Sequence, residues 1–241
     1  MIHFIWLTQL GSRPFSYINS LAIRAAAKHH PDEQIIMWCN EEPRHNPNWY
    51  MVKDLFEVRP IEMPTEIGGV ALEHVQYKAD VLRLEILQKL GGIYLDTDSL
   101  LLKPLSPLVG PDMVLARESS DSLAMSPIIA KPGAAFIDMW LAQIPAALKK
   151  DIWSHHAVNL PVEIAKVIPC DIRPQHEFFP FDLRHNYLFD YGRADEHSPR
   201  LGDPYALHVY ETYWRGYIDE VDAGYMHSQD TLFARLFRDL V

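Results

Sequence analysis

The chain has 241 residues, 48% of them hydrophobic and 11% aromatic, enough apolar material to bury a substantial core within one large α/β domain. Its formal net charge of −10 excludes the basic surface that releases counterions from duplex nucleic acid, so no nucleic-acid partner is expected; a diphosphate can still be met locally by a divalent cation and one or two basic side chains. Two cysteines, Cys39 and Cys170, are too few for a disulfide framework and lack metal-ligand spacing, which points to a reducing compartment.

Met1 leads directly into Ile2-His3-Phe4-Ile5-Trp6 without a basic stretch and cleavage site, so no secretory signal is expected. The longest apolar candidate for a membrane span, residues 128–148, is interrupted by Lys131, Pro132, Asp138 and Pro145. A soluble, cytoplasmic protein is expected, unless an anchor preceded the numbering, and peripheral membrane contact stays open.

Residues 2–7 form an apolar, β-branched and aromatic run, expected as the first strand of a parallel sheet. A loop follows over 8–14, and Ser16 is placed to cap a helix through about His29, which His30-Pro31-Asp32 ends. Strands are expected over 34–39 and 58–63, and strands alternating with helices imply βαβ units. Ala79, Leu82, Ile86, Leu87 and Leu90 recur at helical spacing, Gly91-Gly92 stops the pattern, and Ile93-Tyr94-Leu95 starts a short buried strand. Residues 100–108 read as a proline-punctuated connector, 113–116 as a strand, 153–203 as less regular with a helix near 158–168, and 228–240 as a final amphipathic helix.

Asp96 and Asp98 close the strand that begins at Ile93. Burying unpaired carboxylates is costly, so two of them ending an apolar strand should face a cation or a water-filled cleft. Side chains two apart on an extended segment point the same way and can share one cation, or a cation and a hydroxyl; oxygen ligands favour Mg²⁺ or Mn²⁺ over Zn²⁺. The plainer alternative is a strand-ending turn with two solvated aspartates. Asp80 and Arg83, three apart, share one helix face, either as a surface ion pair or pointing into a cleft. Ligands of open parallel sheets bind beyond the carboxyl ends of strands, so Trp6-Leu7-Thr8 and the Asp pair can line one crevice.

The ordered run Ala79-Asp80, Arg83, Ile86-Leu87 and Gly91-Gly92-Ile93-Tyr94-Leu95-Asp96-Thr97-Asp98 resembles the central motif of the sugar-transferring glycosyltransferases with a DXD sequence. That group is glycosyltransferase family 32-like and includes initiating α-1,6-mannosyltransferases, α-1,4-galactosyltransferases, bacterial capsular polysaccharide and lipopolysaccharide transferases and, more distantly, the large clostridial glucosylating toxins. Ile2-His3-Phe4-Ile5-Trp6-Leu7 is similar to the family's nucleotide-carrying strand, and His208 to Trp214 to its closing His…Ser-Trp element; the resemblance covers roughly residues 2–133 and 205–215. Within it, residues 126–133 look like a strand returning to the cleft and 134–148 like the helix behind it.

The resemblance implies a GT-A type nucleotide-sugar-binding fold, a central mostly parallel sheet flanked by helices. It implies one domain over 1–241, with a nucleotide-binding half of about 1–110 and an acceptor-side half of about 111–241. The implied activity is metal-dependent transfer, with retention, of a hexose from a nucleoside-diphosphate sugar, UDP favoured, to a hydroxyl acceptor such as a glycan, as in polysaccharide biosynthesis. The implied cofactor is Mn²⁺ or Mg²⁺. By the same resemblance Asp98 ligates the metal, Asp96 touches ribose, donor sugar and, through water, the metal, and His208 is the third ligand. Asp80 would bind donor-sugar hydroxyls, Arg83 the sugar or diphosphate, and Trp6 and Leu7 the nucleotide, although Trp6 also fits a core role. Trp214 would donate its indole N–H to a phosphate or glycosidic oxygen, and Thr212 would supply the hydroxyl contact where Tyr213 replaces the family's Ser. Asn159-Leu160-Pro161 departs from the family's Thr-Gly-Pro, so acceptor contacts do not carry over; His155-His156, beside Trp153 and Asn159, face either an acceptor or the fold.

Two other readings stay open. Tyr94 to Ser99 also resembles the aspartyl-phosphate hydrolase signature, with Asp96 as nucleophile, but that motif belongs on a first strand and more than ninety residues precede it here. A non-catalytic sugar-nucleotide or glycan-binding module would keep the fold without turnover. No catalytic base is singled out.

Overall fold

The computed structural model describes every residue except Leu10, Gly11, Asp151, Asp182, His185 and Asn186. The opening apolar run forms strand β1 (Ile2–Trp6) and leads to helix α1 (Tyr17–His29). Ser16 and Asn19 make a reciprocal capping box: Asn19 N–H donates to Ser16 Oγ at 3.2 Å and Ser16 N–H to Asn19 Oδ1 at 2.7 Å. Then come β2 (Ile35–Cys39), α2 (Pro47–Tyr50), β3 (Glu57–Pro60) and a small hairpin, β4 (Glu66–Ile67) and β5 (Val70–Ala71). Helix α3 (Val75–Leu90) feeds β6 (Gly92–Tyr94), and β7 (Ser99–Leu101), β8 (Met113–Arg117) and β9 (Leu123–Ala130) follow. The remainder is α4 (Ala135–Leu148), α5 (Leu160–Ala165), β10 (Asp171–Arg173), α6 (Ala194–Leu201), β11 (Ala206–His208), α7 (Arg215–Ile218), α8 (Ala223–Ser228) and α9 (Leu232–Phe237).

Seven strands form the central sheet in the order β10-β8-β9-β6-β1-β2-β3, and every strand but β9 runs the same way. Helices cover both faces, which is why the central strands read as continuous apolar runs rather than alternating ones. The period of two still sorts the side chains. Ile2 and Phe4 of β1 enter one core with α1 and α9, while Ile5 enters the other with α3 and α4; Val114 and Ala116 of β8 divide likewise from Met113 and Leu115. This is the expected mostly parallel, helix-flanked α/β layout. No helix among the described residues is long and apolar enough to cross a membrane.

Several boundaries differ from the sequence reading. The third strand stops at Pro60, where its partner β2 ends at Cys39; the Ile61 N–H makes the last bond of the ladder, to the Cys39 carbonyl at 3.0 Å. The connector expected over 100–108 contains β7, whose partner is the distant β11. The helix expected near 158–168 begins as a π-helical turn over His155–Asn159 and continues as α5. The final helix expected over 228–240 starts later: Ser228 ends α8, Gln229 is extended, and Thr231 starts α9 by accepting the Ala234 N–H at 3.2 Å.

Candidate functional site

The site grows from the turn between α3 and β6. Gly91 ends α3 with φ 62°, and a Cβ there would sit 2.5 Å from Pro132 Cδ and 2.9 Å from the Ala130 carbonyl. A Cβ on Gly92 would lie 2.7 Å from the Met1 carbonyl, so the glycine pair lets β1 and the end of β9 close around the strand start. β6 lasts three residues, and the Leu95 N–H donates to the His3 carbonyl at 3.0 Å.

Asp96 and Asp98 do not lie on an extended segment. They sit in a turn closed by Ser99 N–H donating to the Asp96 carbonyl at 3.0 Å, and it is the turn that converges their carboxylates. Asp98 Oδ2 accepts the Glu211 N–H at 3.0 Å and lies 3.8 Å from His208 Nε2. His208 is paired across the β7–β11 ladder with Ser99, and its Nδ1 is 3.1 Å from Ser99 Oγ, which fixes the ring so that Nε2 faces the carboxylates. Ligand atoms of Asp96, Asp98 and His208 all lie within 4.8 Å of one another. Two carboxylates and one oriented imidazole fit a divalent cation.

Behind this cluster runs a buried line of charge. Asp96 Oδ1 accepts from Tyr94 Oη at 2.8 Å and lies 3.0 Å from Arg83 Nη1, while Arg83 Nη2 lies 3.1 Å from Asp80 Oδ1. Asp80 Oδ2 is in turn 3.0 Å from His156 Nε2. Arg83 also donates to the Met125 carbonyl at 3.0 Å, and its guanidinium lies 4.5 Å from the Tyr94 ring centre. Burial works against the Arg83 charge, but Asp96, Tyr94 and Asp80 around it raise its pKa above the usual arginine range. Burial raises the Asp96 carboxyl pKa despite Arg83, with Asp98 adding to the rise, and burial with Asp98 also raises Glu211.

The sequence-derived site residues are distributed as follows. Asp96, Asp98 and His208 converge. Asp80 and Arg83 lie just behind them, 8% and 6% exposed, with both Asp80 oxygens engaged and the guanidinium spread over two carboxylates. Trp6, Leu7 and Thr212, with Arg13 and Glu211, line a cavity of about 400 Å³ beyond the end of β1; Trp6 and Arg13 also line a neighbouring cavity of about 670 Å³. Trp214 is the exception. It is 5% exposed and packs on Tyr210 and Phe189, and its indole N–H donates to the Leu183 carbonyl at 3.0 Å, so the donor expected to aim at a phosphate is consumed inside the fold.

Sequence reasoning missed Arg13, Asn19 and Glu211. Arg13 donates to the Glu211 carbonyl at 3.0 Å, and Asn19 donates to the Thr97 carbonyl at 3.0 Å and to Glu211 Oε2 at 3.2 Å. The available signals were a lone basic residue in the loop after β1, and a helix-capping asparagine whose amide nitrogen was left to account for.

This fold and this Asp-Asp-His cluster define a mixed α/β protein with a cation-competent cleft at the carboxyl end of a parallel sheet. Residues 18–121 match the family described as glycosyltransferase sugar-binding region containing DXD motif. Glucan organizing enzyme 1 of Cryptococcus neoformans var. grubii is 26% identical over 238 residues, covering 93% of this chain and 64% of that protein. Lactosylceramide 4-alpha-galactosyltransferase of Rattus norvegicus is 23% identical over 232 residues, covering 81% of this chain and 63% of that protein. The chain therefore spans a little under two thirds of the length of these relatives. Among solved structures, PaToxG glycosyltransferase superposes with a TM-score of 0.50 at 17% identity, over 70% of this chain and 69% of that one. GlyE of Streptococcus pneumoniae gives 0.50 at 12% identity, over 92% of this chain and 61% of that one. At these identities the structural likeness concerns the fold. The chain is thus similar, over residues 18–121, to the DXD-containing sugar-binding region of glycosyltransferases, as the resemblance of the central motif implied, and its fold is like that of solved glycosyltransferases.

Proposed function

We propose that the protein is a metal-dependent, retaining hexosyltransferase that moves a hexose from a nucleoside-diphosphate sugar, with UDP favoured, to a hydroxyl of a glycan acceptor in polysaccharide assembly. The observation that carries this reading is the Asp96, Asp98 and His208 cluster, drawn within 4.8 Å and joined, through the Glu211 N–H on Asp98, to the cleft that Trp6, Arg13, Glu211 and Thr212 line. Bound there, Mn²⁺ or Mg²⁺ would supply Lewis-acid stabilisation of the charge that develops on the departing diphosphate.

The chain's own residues divide the remaining work. Asp98 and His208 hold the cation, and Asp96, fixed by Arg83 and Tyr94, presents its other oxygen to the cation or a ribose hydroxyl. Arg13 offers a forked guanidinium to phosphate oxygens, Trp6 and Leu7 flank the nucleotide, and Thr212 offers its exposed hydroxyl. Arg83 acts from behind, neutralising Asp80 and Asp96 so that the cluster tolerates burial. Residues 1–110 serve as the nucleotide half of one domain and 111–241 as the acceptor half. A phosphohydrolase using Asp96 as nucleophile fits less well, because Oδ1 is already held by Arg83 and Tyr94 and the motif follows β6 rather than β1.

The test is a thermal-shift and donor-hydrolysis panel of UDP- and GDP-sugars, with and without Mn²⁺, on wild type and Asp98→Asn. Metal-dependent stabilisation and slow diphosphate release with one donor, both lost in the variant, are expected. Mg²⁺-dependent phosphate release from simple phosphoesters, without nucleotide-sugar binding, would overturn the transferase reading; binding without turnover on any acceptor would reduce it to a binding module.

A further inference from the structure

The segment around Trp153 breaks several local rules at once. Trp153 is 56% exposed, unusual for so large an apolar ring. Ser154, a non-glycine, has φ 56°, and a π-helical turn over His155–Asn159 follows immediately. Opposite, His74 occupies the N-cap of α3 but makes no capping hydrogen bond, although N-caps are ordinarily chosen for one. Backbone outliers and π-turns persist where the surrounding structure and a function require them.

These departures assemble one object. The π-turn sends His156 inward, 1% exposed, to Asp80, and its carbonyl accepts Trp140 Nε1 at 2.8 Å. The same turn leaves Trp153 outward, its ring centre 5.2 Å from both His74 and Tyr77; His74 and Tyr77 lie 4.9 Å apart, and Tyr77 lies 4.5 Å from His156. Tyr77 precedes Asp80 by one turn of α3, so the ring cluster joins the Asp80, Arg83 and Asp96 line. Glu73 and His74 line both the cleft cavity of about 400 Å³ and an adjoining one of about 210 Å³ that also takes in Tyr77 and Ile152. The cleft beside the metal cluster and the ring cluster thus share a wall.

We propose that His74, Tyr77 and Trp153 form the acceptor subsite, a platform on which a pyranose ring of the acceptor glycan lies with its apolar C–H face against Trp153, while Glu73 and His74 bind its hydroxyls. This rests on the transferase reading and names where its acceptor sits. A pyranose ring has one apolar face and a polar edge, and the site matches both: a half-exposed indole for the face, and an exposed carboxylate and imidazole for the edge. A hydrocarbon chain would desolvate the Glu73 carboxylate without a partner for it, and an anionic acceptor would meet a chain of net charge −10.

The platform is tested by titrating neutral gluco-, galacto- and manno-oligosaccharides, without donor or metal, into wild type, Trp153→Ala, Trp153→Phe and His74→Ala, and in a separate titration UDP- and GDP-sugars with Mn²⁺ into the same proteins. Intrinsic fluorescence and ligand-observed NMR report binding, and a thermal melt of each variant reports folding. One oligosaccharide series is expected to bind, with saturation received by the C–H protons of one ring face. Its affinity should fall at least tenfold in Trp153→Ala and less than threefold in Trp153→Phe, while the nucleotide-sugar affinity moves less than twofold. Binding unchanged in both alanine variants overturns the platform, as does wild type that binds a nucleotide sugar but no oligosaccharide, or a dispersed lipid that binds at Trp153 in its place. Oligosaccharide binding lost in Trp153→Ala, together with no nucleotide-sugar binding in wild type, supports the platform as a sugar site and overturns the transferase reading instead.

Discussion

Acidification tests whether β1 is locked to the turn that presents the Asp pair. His3 is fully buried; its Nε2 lies 2.9 Å from the Gly91 carbonyl, and Nδ1 accepts the Trp38 indole N–H at 3.2 Å. Only the neutral ring with its proton on Nε2 makes both bonds, and burial is the main cause that lowers its pKa from 6.5 to about 4. The unfolded chain takes up this proton near pH 6.5 and the folded chain near 4, so between those values the unfolded state binds more protons and stability falls as pH falls. At about 1.4 kcal/mol per pH unit the window is worth about 3 kcal/mol. Urea unfolding at pH 7 and pH 4 compares wild type with His3→Gln, which can still donate an amide N–H to the Gly91 carbonyl but does not titrate. Wild type should lose about 3 kcal/mol more than the variant on acidification. His29 and His30, whose pKa values burial also lowers, titrate in both proteins and cancel in the difference. Losses that agree within about 1 kcal/mol would refute a buried neutral His3, and with it the account of how β1 holds the α3–β6 turn.

Two further substitutions probe the support of the Asp pair. Arg83→Met removes the cation shared by buried Asp80 and part-buried Asp96; stranding the two carboxylates costs about 3–5 kcal/mol, a fall of roughly 10 °C in Tm by calorimetry. A loss of only about 2 °C would mean the guanidinium is not what balances them. Gly91→Ala forces a left-handed residue and a Cβ 2.8 Å from the Pro132 nitrogen, and should cost at least about 1–3 kcal/mol in urea unfolding; wild-type stability would require a different turn.

What the sequence made legible was local. The first strand announced itself by an unbroken apolar run, α1 by Ser16 three residues before Asn19, and the α3–β6 turn by a helical period stopped at Gly91-Gly92. The Asp pair could be read as chemistry because carboxylates after an apolar strand need an explanation. What stayed illegible depends on pairing over distance. β7 and β11 are three residues each, too short to carry a propensity signal, and they exist because Leu100 meets Leu207 across the ladder. Arg13 is an ordinary loop residue until the fold brings it to Glu211, 198 residues later. The inward turn of Trp214 and the outward turn of Trp153 are invisible in composition, since both are tryptophans in irregular segments. The break before α9 did have a local marker, the capping Thr231, but an amphipathic pattern running through it hid the stop.

The fate of Trp214 changes what the closing element does. Tyr210, a non-glycine at φ 46°, turns the chain so that the Glu211 N–H meets Asp98 Oδ2, while the N–H groups of Tyr213 and Trp214 return to the Tyr210 carbonyl. Such a backbone costs about 1–3 kcal/mol and persists only when neighbours over-determine it. Here the neighbour is Trp214, packed on the Tyr210 ring at 5.2 Å and tied to Leu183 through its indole N–H. The tryptophan therefore acts on the cluster through the backbone, holding the peptide that holds Asp98. His208 is set by the same segment: β11 pairs it with Ser99, the residue after Asp98. A slip of one residue in that ladder would carry the imidazole to the opposite face and dismantle the Asp-Asp-His cluster. The second half of the chain thus builds the cluster through a strand register and a strained turn, and a lid free to swing over the donor could not keep His208 and the Glu211 N–H on Asp98.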